Sequence, residues 1–183
     1  MTGLIRRLIG DRRGNLMVEL AMAMPVLTLL TLGGLEVSRY VLLHQKLDRV
    51  AGTVGDLVAQ AETLTAADVD SLFDAARHVA MPFDLPGAGI VIVSSVGTDS
   101  GLNPQINWQR SGGGGLAASS RVGPAGGSAA LPPGLTLEEG ETVIVAEVVY
   151  AYVPWVLGGV TTAGELYHRA FFRPRFASLA NLN

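Results

Sequence analysis

Cysteine is absent from this 183-residue chain, which removes disulfides, iron–sulfur clusters, thiolate zinc sites and cysteine nucleophiles in one step. Charge is scarce as well. Asp, Glu, Lys and Arg make up 16% of the residues, against roughly 25% in an ordinary soluble domain. Aromatic residues reach only 6%, and the net charge of −3 gives no basic footprint for nucleic acid. What is abundant is apolar: hydrophobic residues account for 49% and mean hydropathy is +0.37. Such values exclude disorder and fit a simple cytosolic globule poorly. The 23 glycines and 9 prolines are clustered, so they mark a loop and not a collagen-like repeat.

Charge is also unevenly placed. Residues 1–14 hold Arg6, Arg7, Arg12 and Arg13 against Asp11 alone, and the stretch from Leu20 to Leu35 carries no charge. Glu19 is the single charge between Asn15 and Leu35. As a helix, residues 15–36 span roughly 30 Å, about the hydrocarbon thickness of a bilayer. A basic leader before an apolar span puts the amino terminus in the cytoplasm and the bulk of the chain outside. Other readings compete. A cleaved secretory signal needs a small-residue site after the apolar run, whereas Ala21-Met22-Ala23 stands at its start. A buried helix of a soluble protein leaves the four-arginine flank as coincidence. An uncleaved anchor remains open.

An ionised carboxylate inside a span needs a partner. Cutting after Gly14 creates one, because it frees the α-amino group of Asn15 at the cytoplasmic end of the helix. Glu19 is then placed to neutralise that amine on a neighbouring subunit, setting the two helices in register; pairing within one chain is geometrically awkward but open near the interface. Glycine before the cut offers a peptidase an unhindered backbone.

The segment Arg13-Gly14-Asn15-Leu16-Met17-Val18-Glu19 resembles a type IV prepilin processing site, and Gly14 to Lys46 resembles the TadE-like family, minor pseudopilins of the tight-adherence (Flp) pilus machinery. Pro25, Glu36, Arg39 and the closing Arg173-Pro174-Arg175 are similar to that family too. Leu20 stands where the major Flp pilins follow the glutamate with tyrosine, and the length also speaks against a rod subunit. The resemblance implies a minor pseudopilin of the bacterial inner membrane, processed by a prepilin peptidase, with membrane lipid, other pilins or pseudopilins and the pilus assembly platform as partners. It implies no enzyme activity, cofactor, metal or small-molecule substrate. Ala21, Ala23, Pro25, Gly33 and Gly34 are the expected helix-packing positions, small enough for close approach or, at Pro25, a kink. The alternative is an uncleaved single-span anchor whose periplasmic domain binds an envelope or surface partner.

Residues 37–62 read as an amphipathic continuation, with Val37, Tyr40, Val41, Leu47, Val50, Val54, Leu57 and Val58 at steps of three and four and the helix running to about Ala61. Glu36 and Arg39 fall at i,i+3, the spacing of a local ion pair. Residues 63–183 are expected to form a periplasmic α+β domain. In it Thr65 caps a second helix with Asp68 in its first turn, and Met81-Pro82 ends that helix. Strands follow at Gly89–Val96, Ile106–Arg110, Glu141–Val153 and Glu165–Arg173, with a Gly/Pro-rich flexible loop over 111–134. The fold class is therefore α+β and pilin-like, with about four antiparallel strands.

Chemistry in the rest of the chain is thin. Gly112-Gly113-Gly114-Gly115 lacks the Lys-Ser/Thr and following helix of a phosphate loop. His44, His78 and His168 lie in separate elements without metal-ligand spacing. Ser94-Ser95 and Ser119-Ser120 have no nucleophile-elbow context. Glu138, Glu139 and Glu141 read as a solvated turn. Trp108, Tyr150, Tyr152 and Trp155 read as sheet packing ahead of an exposed binding patch, and Arg169 and Arg173 as partners of Glu147 across the sheet.

Overall fold

A computed structural model of the chain describes residues 13–156, 159–176 and 178–182. Helix α1 (Arg13–Ala59) carries both expected segments without interruption, and Pro25 lies inside it. Proline has no N–H, so the carbonyl of Ala21 loses its helical donor there. From Leu16 onward the helix is long and apolar enough to cross a membrane, and its most apolar window has mean hydropathy 1.9 with nothing buried. Beyond Tyr40 its character changes: Leu43, Leu47, Val50, Ala51, Val54 and Val58 are all buried. The helix ends at Ala59, two residues before the expected limit, and the backbone N–H of Arg175 donates to the Ala59 carbonyl at 3.0 Å.

The chain divides into two compact units, one made of residues up to Tyr40 with Pro154–Thr162, the other of Val41–Val153 with Ala163–Asn183. In the second unit, α2 (Ala66–Ala80) starts with a capping box. Thr65 Oγ1 accepts from the Asp68 N–H at 3.2 Å while Asp68 Oδ2 accepts from the Thr65 N–H at 2.9 Å. Two orphan donors at the helix start are thereby satisfied. Val69, Phe73, Ala76 and Ala80 then form the buried stripe. A single turn, α3 (Leu85–Ala88), capped by Asp84, delivers the chain into the sheet.

The sheet consists of β1 (Gly89–Thr98), β2 (Pro104–Gly112), β3 (Val143–Tyr152) and β4 (Gly164–Phe172), in the order β2-β1-β3-β4 with every pair antiparallel. Long β-branched runs in β1 and β3 suit this order, because the two strands occupy the centre and are covered on both faces. On one face lies α1: a Cβ built on Gly55 would sit 2.7 Å from the Phe172 ring and 3.3 Å from Ala146 Cβ.

The other face is covered by the glycine- and proline-rich segment. Val122 and Leu137 join Val96, Ile106, Val143 and Val145 in one buried cluster, with Ala129, Leu131, Leu135 and Phe171 packed against it. The expectation of a loose excursion over 111–134 therefore needs correcting. Gly112 still belongs to β2, and the residues after it form a cover held by backbone bonds, among them Gly115 N–H to Pro86 O at 2.9 Å and Ala130 N–H to Val122 O at 2.7 Å. Glycine and proline permit the sharp course, while isolated apolar side chains supply the adhesion.

Candidate functional site

The first unit is dominated by a bare apolar surface. Leu16, Met22, Val26 and Leu30 are each more than half exposed along α1. A helix apolar on every side with nothing packed on it is suited to lipid or to another helix. Glu19 is exposed on this surface and, among the described residues, has neither a hydrogen bond nor an ion pair. Ala21 and Gly34 are exposed, and Ala23 and Gly33 are partly covered. Ala21, Met24, Pro25, Thr28, Leu29 and Leu32 line a shallow apolar groove. Of the leader arginines, Arg6, Arg7 and Arg12 lie outside the described residues. The backbone of Arg13, Gly14 and Asn15 is helical, but their side chains lie outside the description.

At the carboxyl-terminal end of the uncharged run, Glu36 does more than its spacing predicts. Its ion pair with Arg39 exists, at 3.7 Å. The carboxylate is also 1% exposed, and Oε2 accepts the backbone N–H groups of Trp155 and Val156, both at 3.0 Å. The Arg39 guanidinium lies 4.7 Å from the centre of the Trp155 ring. A local pair read from the sequence is thus the base of a clamp on a segment more than a hundred residues away. Trp155 itself is 80% exposed, whereas Trp108, Tyr150 and Tyr152 are buried. Sheet packing accounts for those three aromatics and not for the fourth.

In the second unit Glu147, in the central strand β3, is the buried charged residue among the described ones. The Ser120 hydroxyl donates to Oε2, while the Arg121 N–H at 2.9 Å and the Tyr167 hydroxyl at 2.6 Å donate to Oε1. Arg169 faces Glu147 in the β3–β4 register, but the carboxylate is satisfied by these three donors. Arg173 pairs instead with Glu141, at 3.2 Å, so the expected cross-sheet ion pairs of Glu147 with Arg169 and Arg173 are not formed. Burial, and after it the hydrogen bond and charge of Glu147, pushes the Tyr167 phenol well above its ordinary range.

Two histidines read as unrelated meet between α1 and β4. His44 Nδ1 lies 2.9 Å from His168 Nε2, and His168 Nδ1 lies 3.7 Å from Asp48 Oδ1. One of the two facing ring nitrogens donates and the other accepts, so at least one of the rings is uncharged at this contact. His78 stays exposed in the last turn of α2. Among the described residues no group of three or more His, Asp or Glu is placed to hold a metal ion. Burial first, and then the His168 charge, lowers the pKa of His44 from 6.5. The folded state therefore holds fewer protons than the unfolded chain below that value. The stability it contributes is complete above pH 6.5 and is lost progressively as pH falls below it. Thermal unfolding in detergent is expected to show a lower Tm at about pH 5.5 than at about pH 7.5, with the difference reduced in His44→Gln. An unchanged pH dependence in that variant would remove the pair as its origin.

No curated protein and no solved structure matches the chain. The family model of TadE-like protein matches residues 14–55, the apolar span and the first part of its amphipathic continuation, so this amino-terminal segment is TadE-like.

Proposed function

We propose that the protein is a minor pseudopilin: a precursor cut between Gly14 and Asn15 by a prepilin peptidase, held in the inner membrane by α1, and engaged in assembly of a tight-adherence (Flp) pilus. The leader stays cytoplasmic and the sheet domain lies in the periplasm, in keeping with the four basic residues ahead of the span. The observation that carries this reading is Glu19, an exposed carboxylate without a partner among the described residues on a bare apolar helix, five residues after a glycine and inside the TadE-like match.

An intramembrane acidic residue costs on the order of 3 kcal/mol at the bilayer centre, which makes neutralisation by a neighbour worthwhile. Asn15 supplies the amine once the leader is gone. Close helix approach follows from the small residues. Gly34 has open space where a side chain would stand, and Ala21 and Pro25 border the groove that a second helix would fill. Sister pilins, pseudopilins and the assembly platform are the partners with helices of the required kind.

Processing and assembly separate cleanly by experiment. Intact mass and amino-terminal sequence from native membranes should give a chain starting at Asn15. Gly14→Ala should accumulate precursor. Glu19→Ala should be cut normally yet leave cells without pili. A native chain still starting near Met1 would instead leave an uncleaved anchor, and normal piliation in Glu19→Ala would dismiss the pairing.

A further inference from the structure

The connection between β3 and β4 is apolar where a loop facing water would be polar. From Pro154 to Thr162 it contains no charged residue. The Trp155 side chain stands 80% exposed, and Val156 and Val160 are 45% and 46% exposed. This segment is fixed to α1 at a particular height. Val160 Cγ2 lies 3.8 Å from where a Cβ on Gly33 would stand, Glu36 holds the Trp155 and Val156 amides, and Arg39 covers the Trp155 ring. Residues 33–39 occupy about 9 Å of helix axis. Leu35 closes the uncharged run and Glu36 is the first charge after it, so the contact straddles the level at which the helix leaves the hydrocarbon.

The geometry points to this loop as a second membrane contact, seated at the boundary between acyl chains and headgroups of the outer leaflet beside the span. The inference rests on α1 being a membrane span and goes beyond it. Two features fit a lipid occupant. Tryptophan, with an apolar ring and one polar N–H, prefers this boundary. Backbone N–H groups are costly there unless satisfied, and the Glu36 carboxylate satisfies two of them while being buried itself. Because Val160 touches α1 at Gly33, inside the uncharged run, the loop cannot stay in water while Gly33 is in lipid. Insertion of about 5–10 Å is typical of such elements.

The test uses the full chain reconstituted in phosphatidylcholine vesicles, at a protein content low enough that most vesicles hold one copy. Tryptophan emission is measured with lipids brominated near the glycerol end of the acyl chain and, separately, with iodide in the buffer. Trp108 is buried, with its indole N–H on the Leu179 carbonyl at 2.8 Å, and provides the background that remains in Trp155→Phe. The expected result is loss of most of the Trp155 component to brominated lipid and little loss to iodide, both differences disappearing in Trp155→Phe. Quenching by iodide alone in protein that resists alkaline extraction overturns the lipid contact and leaves the span intact. Shielding from both quenchers overturns it too, in favour of protein covering the loop. Protein that alkaline carbonate strips from the vesicles refutes the span, and this inference with it.

Discussion

Replacing Glu147 by alanine is expected to cost the sheet domain about 3 kcal/mol, because it leaves three part-buried donors without their acceptor at once. Glu147 is 0% exposed. Its loss leaves the Tyr167 hydroxyl, the Ser120 hydroxyl and the Arg121 N–H without their acceptor. The damage spreads, since the Ser120 oxygen also receives the Val122 and Gly123 amides at 3.1 and 3.4 Å. Those bonds hold the cover segment on the face that buries Val122. A domain of ordinary stability has about 5–15 kcal/mol in total, so the variant should sit near its unfolding threshold. Glu147→Gln keeps one acceptor oxygen and should lose less. Chemical denaturation of both variants in detergent decides the matter. An alanine variant within about 0.5 kcal/mol of wild type would mean that water replaces the carboxylate without penalty.

Gly114→Ala is the second large effect, expected at about 3 kcal/mol. A Cβ at this position would overlap the carbonyl oxygen of Gly89 and come within 2.5 Å of that of Leu85. Both are backbone atoms, so no rotamer change relieves the clash. Directly after it the chain is tied down by the bonds from the Gly115 N–H to Pro86 O and from the Leu116 N–H to Gly89 O, at 2.9 and 3.1 Å. Gly126→Ala provides the contrast. Nothing lies within 4 Å of its Cβ, and only its φ of +73° opposes a side chain, which costs about 1 kcal/mol. Equal denaturation midpoints for the two variants would contradict the close approach at Gly114.

Period and caps made the elements legible. Leu43, Leu47, Val50 and Val54 announce a helix face by their spacing, Thr65 and Asp68 announce a helix start, and the β-branched run from Val143 announces a strand. Each of these signals lies within a few residues of the structure it specifies. What stayed hidden is what depends on residues far apart in sequence. Glu36 meets Trp155 and His44 meets His168 across separations of 119 and 124 residues, and no local pattern couples such positions. The strand order was equally beyond reach. Residues 113–137 misled because glycine and proline erase the period that would have advertised Val122 and Leu137 as core. At the candidate site, Gly14, Asn15 and Glu19 stood out as a compact motif. Gly33, expected as a helix-packing position, has Val160 of its own chain 3.8 Å from where its Cβ would stand, a neighbour no local pattern announces.

The cover segment has one more consequence, for how copies of this protein meet. β2 ends the sheet on one side, and its outward groups are already taken: the Ile106 N–H donates to Gly127 O at 2.9 Å, the Gly126 N–H donates to Ile106 O at 3.0 Å, and Gln105 forms a bridge with Ser128. A free edge of this kind is a template for strand addition, the usual route by which crowded β domains zip into unwanted fibres. Here the chain's own glycine-rich segment occupies the start of the β2 edge, at Pro104–Ile106, and closes that stretch to strand addition.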